Sequence, residues 1–275
     1  MKKFTVAAVQ LVSRATLPPN IDTVKRLVGE AAAKGASVVL LPEYWGLIGH
    51  DEKDKVAVRE SFQDYSKPMQ QCMQTLAKQH AIWLIGGSVP LENPADTTKV
   101  YNSTLVYNPT GDVVHRYDKV HLFGYKPGEN QMTFDEARTN FRGDPAQVPV
   151  VELPLGRVGL SVCYDLRFPE FYRAMGPCSL IVVPSAFTHT TGKAHWEILL
   201  RARAIENQCY ILAAAQGGVH ENGRQTWGQS ILIDPWGNIV SELREGEGVV
   251  VGEIDVDFLH KVRDQLPALT HRCLV

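Results

Sequence analysis

The 275-residue chain is 44% hydrophobic and 21% charged, the composition of a globular protein with room for one large core. Its 28 Lys and Arg residues nearly balance 30 Asp and Glu residues, giving a net charge of −2 with both signs scattered along the chain. This balance argues against nucleic-acid binding, and since no apolar run approaches the ~18 residues of a membrane span, we expect a soluble protein with a small-molecule partner and no membrane contact.

Strand and helix patterns alternate along the first half of the chain. The predicted elements are a strand at 4–12, a helix from about 20 to 34, a strand at 38–41, a helix at 67–80, a strand at 82–85, and hairpin strands at 100–107 and 113–120. Asn20 is a candidate N-terminal cap of the first helix, and Gly35 lies just past its end. The strand at 38–41 therefore closes a β-α-β unit.

The second half continues this alternation after a long polar segment. The predicted elements are a strand at 158–162, a short helix from 169, a strand at 180–183, a helix at 194–207, a strand at 210–215 and a hairpin with its turn at 234–238. Helical crossovers mixed with hairpins indicate an α/β fold in which two sheets face each other and helices cover the outsides. No linker interrupts the pattern, so we expect one domain over residues 1–275.

The polar segment at 124–147 is unusually long for a connection inside a compact domain. Unstructured stretches of this length are usually functional lids or binding loops. We therefore expect this segment, which contains Glu136, to cover a site.

Cys163 stands where an apolar strand changes abruptly into polar residues and a proline. Because the run at 158–162 reads as a buried strand and Pro169 suits the first turn of a helix, Cys163 is expected on a strand-to-helix elbow. A thiol on such an elbow can point into a cleft beside backbone N–H groups. The alternative is that Cys163 is a buried small hydrophobic residue, as most free cysteines are.

Three charged residues stand at positions that are unusual for a core and suitable for chemistry. Glu43 follows the buried strand at 38–41, at the carboxyl end where α/β folds place their ligand sites. Lys119 stands near the end of a hairpin strand, and Glu136 lies in the segment 124–147. Taken singly, each could instead be a solvated residue of a strand end or loop.

The cysteine and histidine patterns argue against disulfides and metals. The chain has five widely spaced cysteines, an odd number, without a Cys-x-x-Cys pair. This spacing argues against a disulfide framework or zinc site and favours a reducing compartment, so we expect a cytoplasmic location. Since neither a His-Glu-x-x-His pattern nor a glycine-rich nucleotide loop occurs, we expect no metal and no cofactor.

Five segments, in order and across essentially the whole chain, resemble the nitrilase superfamily of carbon–nitrogen hydrolases. They are LPE at 41–43, YDKVHLF at 117–123, CYDLRFPE at 163–170, RARAIENQ at 201–208 and DPWG at 234–237. The resemblance implies a four-layer α-β-β-α sandwich. Two further segments, AHWE at 194–197 and CYILAAAQ at 209–216, look most like the deaminated glutathione amidase branch, with the omega-amidase branch second.

The resemblance implies a catalytic set of Glu43, Lys119 and Cys163, with Glu136 holding Lys119 charged and oriented. In the implied reaction Glu43 is the base that activates Cys163 for attack on an amide carbonyl. Lys119 and the backbone N–H of Tyr164 would stabilise the oxyanion. Glu43 would then protonate the leaving nitrogen and activate the water that hydrolyses the thioester. We therefore expect an amidase acting on linear amides.

Other residues of these segments are candidates for substrate binding. Arg167, four residues after the candidate nucleophile, could contact a substrate carboxylate or form an ion pair with an acid such as Glu170. Phe187 and Thr188 follow the strand at 180–183 and are candidate pocket walls.

Several polar residues of the helix at 194–207 are expected to be structural. His195 could serve as a protease-like base, but by the resemblance it begins this helix. Arg201, Arg203 and Glu206 are expected to hold the helix in place.

The sequence departs from the family pattern at two positions. Gly124 stands where the compared amidases commonly have aspartate, and Lys193 where proline is usual, both near the expected pocket mouth. After the cysteine, Tyr164 and Asp165 replace the Trp-Glu of nitrile-hydrolysing relatives, which favours amides over nitriles.

The substrate and assembly stay open at this stage. Deaminated glutathione is the first expectation, and the alternatives are 2-oxoglutaramate, an N-carbamoyl amino acid, or a binding module with a dead site. The resemblance also implies a homodimer or higher homo-oligomer formed through the helix at 171–175, and the C-terminal tail at about 256–275 is expected to join that contact.

Overall fold

The computed structural model describes residues 3–126 and 133–274. In chain order its strands are β1 (Lys3–Gln10), β2 (Val38–Leu40), β3 (Trp83–Ile85), β4 (Val89–Glu92), β5 (Val100–Tyr107), β6 (Val113–Asp118), β7 (Gly124–Tyr125), β8 (Phe134–Asp135), β9 (Asn140–Phe141), β10 (Val150–Leu153), β11 (Gly156–Leu160), β12 (Leu180–Ser185), β13 (Tyr210–Ala215), β14 (Gly217–Val219), β15 (Gln225–Trp227), β16 (Ser230–Ile233), β17 (Ile239–Leu243) and β18 (Gly248–Asp255). The helices are α1 (Leu17–Ala33), α2 (Asp54–Ala57), α3 (Pro68–His80), α4 (Pro169–Ala174), α5 (His189–Asn207) and α6 (Val256–Gln265), and 3-10 turns cover Glu136–Arg138 and Cys163–Arg167.

Two sheets form the centre of the fold. The first has the order β18-β1-β2-β3-β5-β4, with β6 and β9 also paired to β5, and the second has the order β10-β11-β12-β13-β16-β17. In each sheet three consecutive strands run parallel, β1-β2-β3 in the first and β11-β12-β13 in the second. The carboxyl ends of these parallel strands are where α/β folds place ligands.

The side chains of β1 alternate between two cores. Val6 and Ala8 belong to the core between the sheets, whereas Ala7 and Val9 pack with the buried residues of α1 and α3. On the second sheet, α4 and α5 contribute Tyr172 and Trp196 to the buried cluster. The layers therefore follow the order helix, sheet, sheet, helix, and the predicted α/β sandwich is confirmed.

The first helix begins earlier than the sequence predicted. It starts at Leu17, after Thr16 in extended conformation, and Asn20 lies inside it. The Asn20 side chain instead connects two loops, because it accepts the Arg14 N–H at 2.8 Å and donates to the Gly46 carbonyl at 2.7 Å. The prediction that Asn20 caps the helix is therefore wrong.

The helix predicted at 194–207 also begins earlier, at His189. Thr188 caps it, since the Thr188 hydroxyl accepts the N–H of Thr191 at 3.3 Å. His195 consequently lies well inside α5 rather than at its start.

The segment 124–147 is more regular than the sequence predicted. Strands β7 and β8 pair as an antiparallel hairpin, whose connection at 127–132 lies outside the described residues. Strand β9 pairs with β5 of the first sheet. The expectation that this segment is unstructured is therefore wrong for the described part. Strand pairing there satisfies backbone N–H and C=O groups that lie close to buried side chains.

The C-terminal part of the chain contains a strand and a helix that the sequence did not identify. Strand β18 pairs with β1 from Lys3↔Asp255 to Gln10↔Gly248, and α6 buries Leu259. The predicted oligomer-forming tail is thus packed on its own chain over 256–265. That the tail at about 256–275 also takes part in an oligomer contact stays a prediction.

In the ranges 3–126 and 133–274, none of the helices is both long and apolar enough to cross a membrane.

Candidate active site

The predicted site residues meet where parallel strands of both sheets end. Glu43 follows β2 of the first sheet, whereas Cys163 follows β11 and Ala186 follows β12 of the second. Because the sheets lie face to face, these ends are adjacent, and the Ala186 N–H donates to Oε2 of Glu43 at 2.9 Å.

Lys119 lies between two carboxylates. Its Nζ is 2.9 Å from Oε1 of Glu43 and 2.8 Å from Oε2 of Glu136, and its side chain is 1% exposed. Burial alone would lower the pKa of Lys119, but the charges of Glu136 and Glu43 outweigh it and raise that pKa well above its ordinary value. Lys119 is therefore a cation at neutral pH.

Glu136 is buried among hydrogen-bond donors. At 2.7–3.2 Å it accepts from Nζ of Lys119, the N–H of Phe123, the hydroxyl of Tyr44 and the side-chain amides of Asn102 and Asn140. Burial raises the pKa of Glu136, but the Lys119 charge, the more distant Lys55 charge and these hydrogen bonds reverse the shift and hold it below its ordinary value. Glu136 is therefore ionised, and its charge keeps Lys119 protonated.

Three of these donors were not predicted from the sequence. Asn102 donates to both Glu43, at 2.9 Å, and Glu136, at 3.2 Å. A polar residue inside the buried strand β5 is a signal that could have revealed Asn102. Tyr44 carries no such signal, because its contact with Glu136 joins segments far apart in sequence. Asn140 is only four residues after Glu136, but it stands in a polar stretch that shows no burial pattern.

Cys163 occupies a strained elbow. Its φ is +50°, in the left-handed region that residues other than glycine rarely adopt, and such strain is concentrated at functional sites. The Asp165 carboxylate holds the turn by accepting the Val162 N–H at 2.8 Å and the Tyr117 hydroxyl at 2.7 Å. The N–H of Tyr164 lies in the first turn of this 3-10 segment, where backbone donors have no acceptor within the turn.

Cys163 is only 6% exposed. Burial raises its pKa well above the ordinary value, the charge of Glu43 and a hydrogen bond to it raise it further, and Lys119 and the Ala186 N–H oppose the shift. The resting group is therefore a neutral thiol, and the Glu43 carboxylate is in place to accept its proton.

All predicted site residues line one pocket, whose empty volume is about 500 Å³. Glu43, Lys119, Glu136 and Cys163 contribute charged and nucleophilic groups. The remaining predicted residues, Tyr164, Arg167, Phe187 and Thr188, form other parts of its wall.

Arg167 is held by aromatic and histidine contacts. Its guanidinium lies 5.3 Å from the ring centre of Phe187 and 5.8 Å from that of Tyr164, and Nη1 is 3.3 Å from Nδ1 of His195. Within the described part of the chain it forms no ion pair with Glu170, so that alternative is wrong.

The arginines of α5 anchor the helix, as predicted. Arg203 donates to the Leu166 carbonyl through Nε at 3.1 Å and Nη2 at 2.7 Å, and pairs with Glu206 at 2.8 Å. Arg201 donates to the Gly237 carbonyl at 2.9 Å. Since Leu166 belongs to the turn that begins with Cys163, Arg203 also fixes the elbow to the helix.

The two departures from the family pattern lie outside the pocket wall. A Cβ at Gly124 would meet nothing within 4 Å, and Lys193 is an exposed residue of α5 that lines a different surface cleft. Neither residue is among the described residues that line the pocket, so no contact supports the expectation that they stand at its mouth.

All five cysteines are free thiols. Within residues 3–126 and 133–274, no group of three or more His, Cys, Asp or Glu side chains is arranged to hold a metal ion.

The chain matches the family model described as carbon-nitrogen hydrolase over residues 5–264. It is 37% identical over 277 residues to a deaminated glutathione amidase of Synechocystis sp. (strain PCC 6803 / GT-S), with 100% of both chains covered. It is 39% identical over 272 residues to the deaminated glutathione amidase of Homo sapiens, covering 97% of this chain and 81% of that one.

Solved structures agree with this match. The NitFhit protein of C. elegans has a TM-score of 0.89 at 35% identity, and the aligned region covers 98% of this chain and 65% of that one. Saccharomyces cerevisiae Nit3, a member of branch 10 of the nitrilase superfamily, has a TM-score of 0.87 at 27% identity, with 99% and 97% covered. The chain therefore belongs to the carbon–nitrogen hydrolase family and is an enzyme that hydrolyses the carbon–nitrogen bonds of amides.

Proposed function

We propose that this enzyme is a thiol-dependent amidase for small carboxylate-bearing amides, with deaminated glutathione as the first candidate substrate. The observation that carries the proposal is the chain of contacts from the Cys163 thiol through Glu43 to Lys119, at the base of a pocket that also contains arginine. The names of the relatives in Synechocystis and Homo sapiens support the choice of substrate.

In the first step Glu43 removes the thiol proton while Sγ of Cys163 attacks the amide carbonyl carbon. The carbonyl π electrons move to oxygen, and the Lys119 ammonium and the Tyr164 N–H stabilise the oxyanion. One such donor contributes about 3 to 4 kcal/mol to the lowering of a barrier of this kind. The charge on Lys119 is essential, because a neutral amine would stabilise the oxyanion far less.

The proton held by Glu43 then goes to the leaving nitrogen. The carbon–nitrogen bond breaks, the amine departs, and the acyl group stays on Cys163 as a thioester. Glu43 next takes a proton from water, the water oxygen attacks the thioester carbonyl, and the carbon–sulfur bond breaks with the proton returning to sulfur. One carboxylate serves both half-reactions, since each needs a proton acceptor and then a donor at the same place.

Arg167 is the proposed partner of a carboxylate on the acyl half of the substrate. The same chemistry would serve 2-oxoglutaramate, as in an omega-amidase, or an N-carbamoyl amino acid, and only comparative kinetics separate these substrates. A binding module with a dead site is disfavoured, because Glu43, Lys119 and Cys163 are all present and in contact. The single domain, the absence of a cofactor, the cytoplasmic location and the homo-oligomer stay predictions.

The test compares Cys163→Ala with Cys178→Ala, since both replace buried free thiols and Cys178 lies outside the pocket. Cys163→Ala is expected to lower kcat on deaminated glutathione by roughly 10⁴-fold or more, because no nucleophile remains. Cys178→Ala is expected to stay within a few-fold of the unmodified enzyme.

Acid quenching during turnover, followed by mass spectrometry, should detect the acyl group on the peptide that contains Cys163. The same assay on 2-oxoglutaramate and an N-carbamoyl amino acid ranks the substrates. Activity that survives Cys163→Ala would overturn the mechanism.

A further inference from the structure

A second arginine, Arg224, lines the active-site pocket and has no part in the proposed chemistry. It also lines an adjoining pocket with an empty volume of about 330 Å³, which shares Tyr44 and Glu52 with the first. Arg224 therefore lies where the active-site pocket adjoins this second pocket.

The guanidinium of Arg224 uses only some of its N–H donors in hydrogen bonds within the described chain. Its Nη2 donates to the Ala186 carbonyl at 3.1 Å, and its carbon centre lies 5.2 Å from the ring centre of Phe134. Its Nε is buried without a hydrogen-bond partner, and within the described ranges of the chain no carboxylate forms an ion pair with it. A guanidinium carries five N–H donors, so donors beyond the one used on the Ala186 carbonyl are left for a ligand in the pocket.

The backbone of Arg224 is held in place before any ligand binds. Its N–H donates to Oδ1 of Asn222 at 2.8 Å, and its carbonyl accepts the His220 N–H at 2.9 Å. The Asn222 amide in turn donates to the Gly49 carbonyl at 2.6 Å. Such pre-ordering reduces the entropy lost when a ligand binds.

Glu52, the acid that lines both of these pockets, is already paired. Oε2 of Glu52 is 2.8 Å from Nζ of Lys55, whose ammonium also lies 5.1 Å from the ring centre of Tyr44. The Lys55 side chain is 8% exposed, so this pair is partly shielded from water. Arg224 thus keeps its positive charge available for an anion that enters the pocket.

The position of Ala186 indicates which half of the substrate Arg224 faces. The Ala186 carbonyl accepts from Arg224, and its N–H donates to Oε2 of Glu43. Oε1 of Glu43 accepts two hydrogen bonds, from Lys119 and Asn102, whereas Oε2 accepts one from the described residues, so Oε2 is the oxygen with a lone pair left to carry the proton to the leaving nitrogen. Arg224 is therefore attached to the side of the site from which the amine departs.

We propose that Arg224 binds a carboxylate on the amine half of the substrate, while Arg167 binds the carboxylate on the acyl half. The inference rests on the proposed function and narrows its substrate class to an amide flanked by two carboxylates. The acyl half comes from a small dicarboxylic acid, and the amine half is an amino acid or short peptide with a free C-terminus. Two parallel N–H···O bonds from a guanidinium suit such a carboxylate.

The experiment uses two substrates that share one acyl half and one dipeptide amine half. In the first the dipeptide ends in a free carboxylate, and in the second it ends in a carboxamide, so the pair differs in a single charge. In Arg224→Gln the ratio of the two kcat/KM values, acid over carboxamide, is expected to fall by about 10- to 100-fold, mainly through KM. Arg224→Lys should retain part of the preference because it keeps the charge.

Arg167→Gln is the matched control, since both substrates share the acyl half. It should lower kcat/KM for both members of the pair and leave their ratio within about twofold. A purely structural role for Arg224 would lower both values together in Arg224→Gln, and an unchanged ratio therefore overturns the inference. A change of ratio in Arg167→Gln instead overturns the assignment of the two halves.

The failure of this inference can be told apart from failure of the proposed function. If the unmodified enzyme hydrolyses neither member of the pair nor the corresponding primary amide, the proposed function fails and the inference with it. If it hydrolyses the primary amide but does not distinguish the acid from the carboxamide, only the inference fails.

Discussion

At the scale of single residues, the site places the Lys119 ammonium in contact with the carboxylates of Glu43 and Glu136, with the neutral Cys163 thiol beside them. Burial and the charge of Glu43 raise the pKa of the Cys163 thiol, so a thiolate is not stored in the resting enzyme. The proton must leave when substrate is present, with Glu43 as acceptor. Rapid alkylation by a general reagent is therefore not the expected signature of Cys163, and the exposed Cys273 is the more accessible thiol.

Glu136→Gln tests whether Glu136 acts by positioning Lys119. All the described partners of Glu136 donate hydrogen bonds. The NH2 group of a Gln side chain, which cannot accept a hydrogen bond, would therefore face hydrogen-bond donors. We expect kcat to fall by about 10- to 100-fold with a smaller change in KM, because oxyanion stabilisation weakens. Since the charge of Glu136 raises the pKa of Lys119, its removal should shift the alkaline limb of the kcat profile to lower pH.

The control for this change is Asp135→Asn, which removes an adjacent exposed charge that forms no ion pair with Lys119. Its pH profile should match that of the unmodified enzyme. An unshifted alkaline limb in Glu136→Gln, measured by steady-state rates from pH 7 to 10, would contradict the positioning role.

At the scale of elements, the site depends on how closely strand ends approach one another. Gly87, between β3 and β4, has a φ of +54°, and a Cβ there would collide with the carbonyl oxygens of Leu41 and Pro42. The Thr104 hydroxyl also donates to the Gly87 carbonyl at 2.5 Å. Because Gly87 has no side chain, the backbone of Leu41 and Pro42, which leads into Glu43, can pack directly against it.

Gly87→Ala is expected to destabilise the fold and displace Glu43. Adding backbone strain to a clash should lower the free energy of unfolding by about 3 to 5 kcal/mol, or Tm by roughly 10 °C, and should reduce kcat. Gly35→Ala is the matched control, because Gly35 has a φ of +86° but nothing within 4 Å of its Cβ position. Calorimetry should give it a Tm loss of only about 3 °C. Equal losses in the two variants would show that strain, rather than the close approach, is responsible.

At the scale of the whole molecule, the active site exists only when the two sheets are docked. The first sheet supplies Glu43 and Lys119, and the second supplies Cys163 and Ala186. The stability of the sandwich and the ionisation of the buried charges are consequently linked.

Acid stability should report this linkage. The pKa of Glu136 is lower in the folded chain than its ordinary value of 4.5, so its ionised form stabilises the fold above pH 4.5. That contribution is lost as the pH falls through the folded-state pKa. We expect the difference in free energy of unfolding between the unmodified enzyme and Glu136→Gln to be largest near pH 6 and to narrow steadily as the pH falls below 4.5. Urea denaturation at several pH values measures it, and a difference independent of pH would contradict the assignment.

The sequence by itself determined much of the secondary structure and suggested which side chains form the proposed site. The predicted bounds of β5 and β13 coincide with the observed ones, because alternation and continuous apolar runs depend only on which faces of a segment are buried. Glu43, Lys119, Glu136 and Cys163 could be proposed as site residues because the segments that contain them resemble the family pattern, whereas each residue taken singly had a structural alternative.

Only the tertiary structure decided which groups surround them. The donors to Glu136 from Tyr44 and Asn102, the pairing of β18 with β1, and the hydrogen bond from Arg224 to Ala186 arise between segments far apart in sequence. The local pattern of a segment records its burial but not its neighbours, since those are set by how the two sheets pack. The sequence therefore pointed to an amidase and to candidate site residues, whereas the folded chain determined the charges and hydrogen bonds around Cys163 and the walls of its pocket.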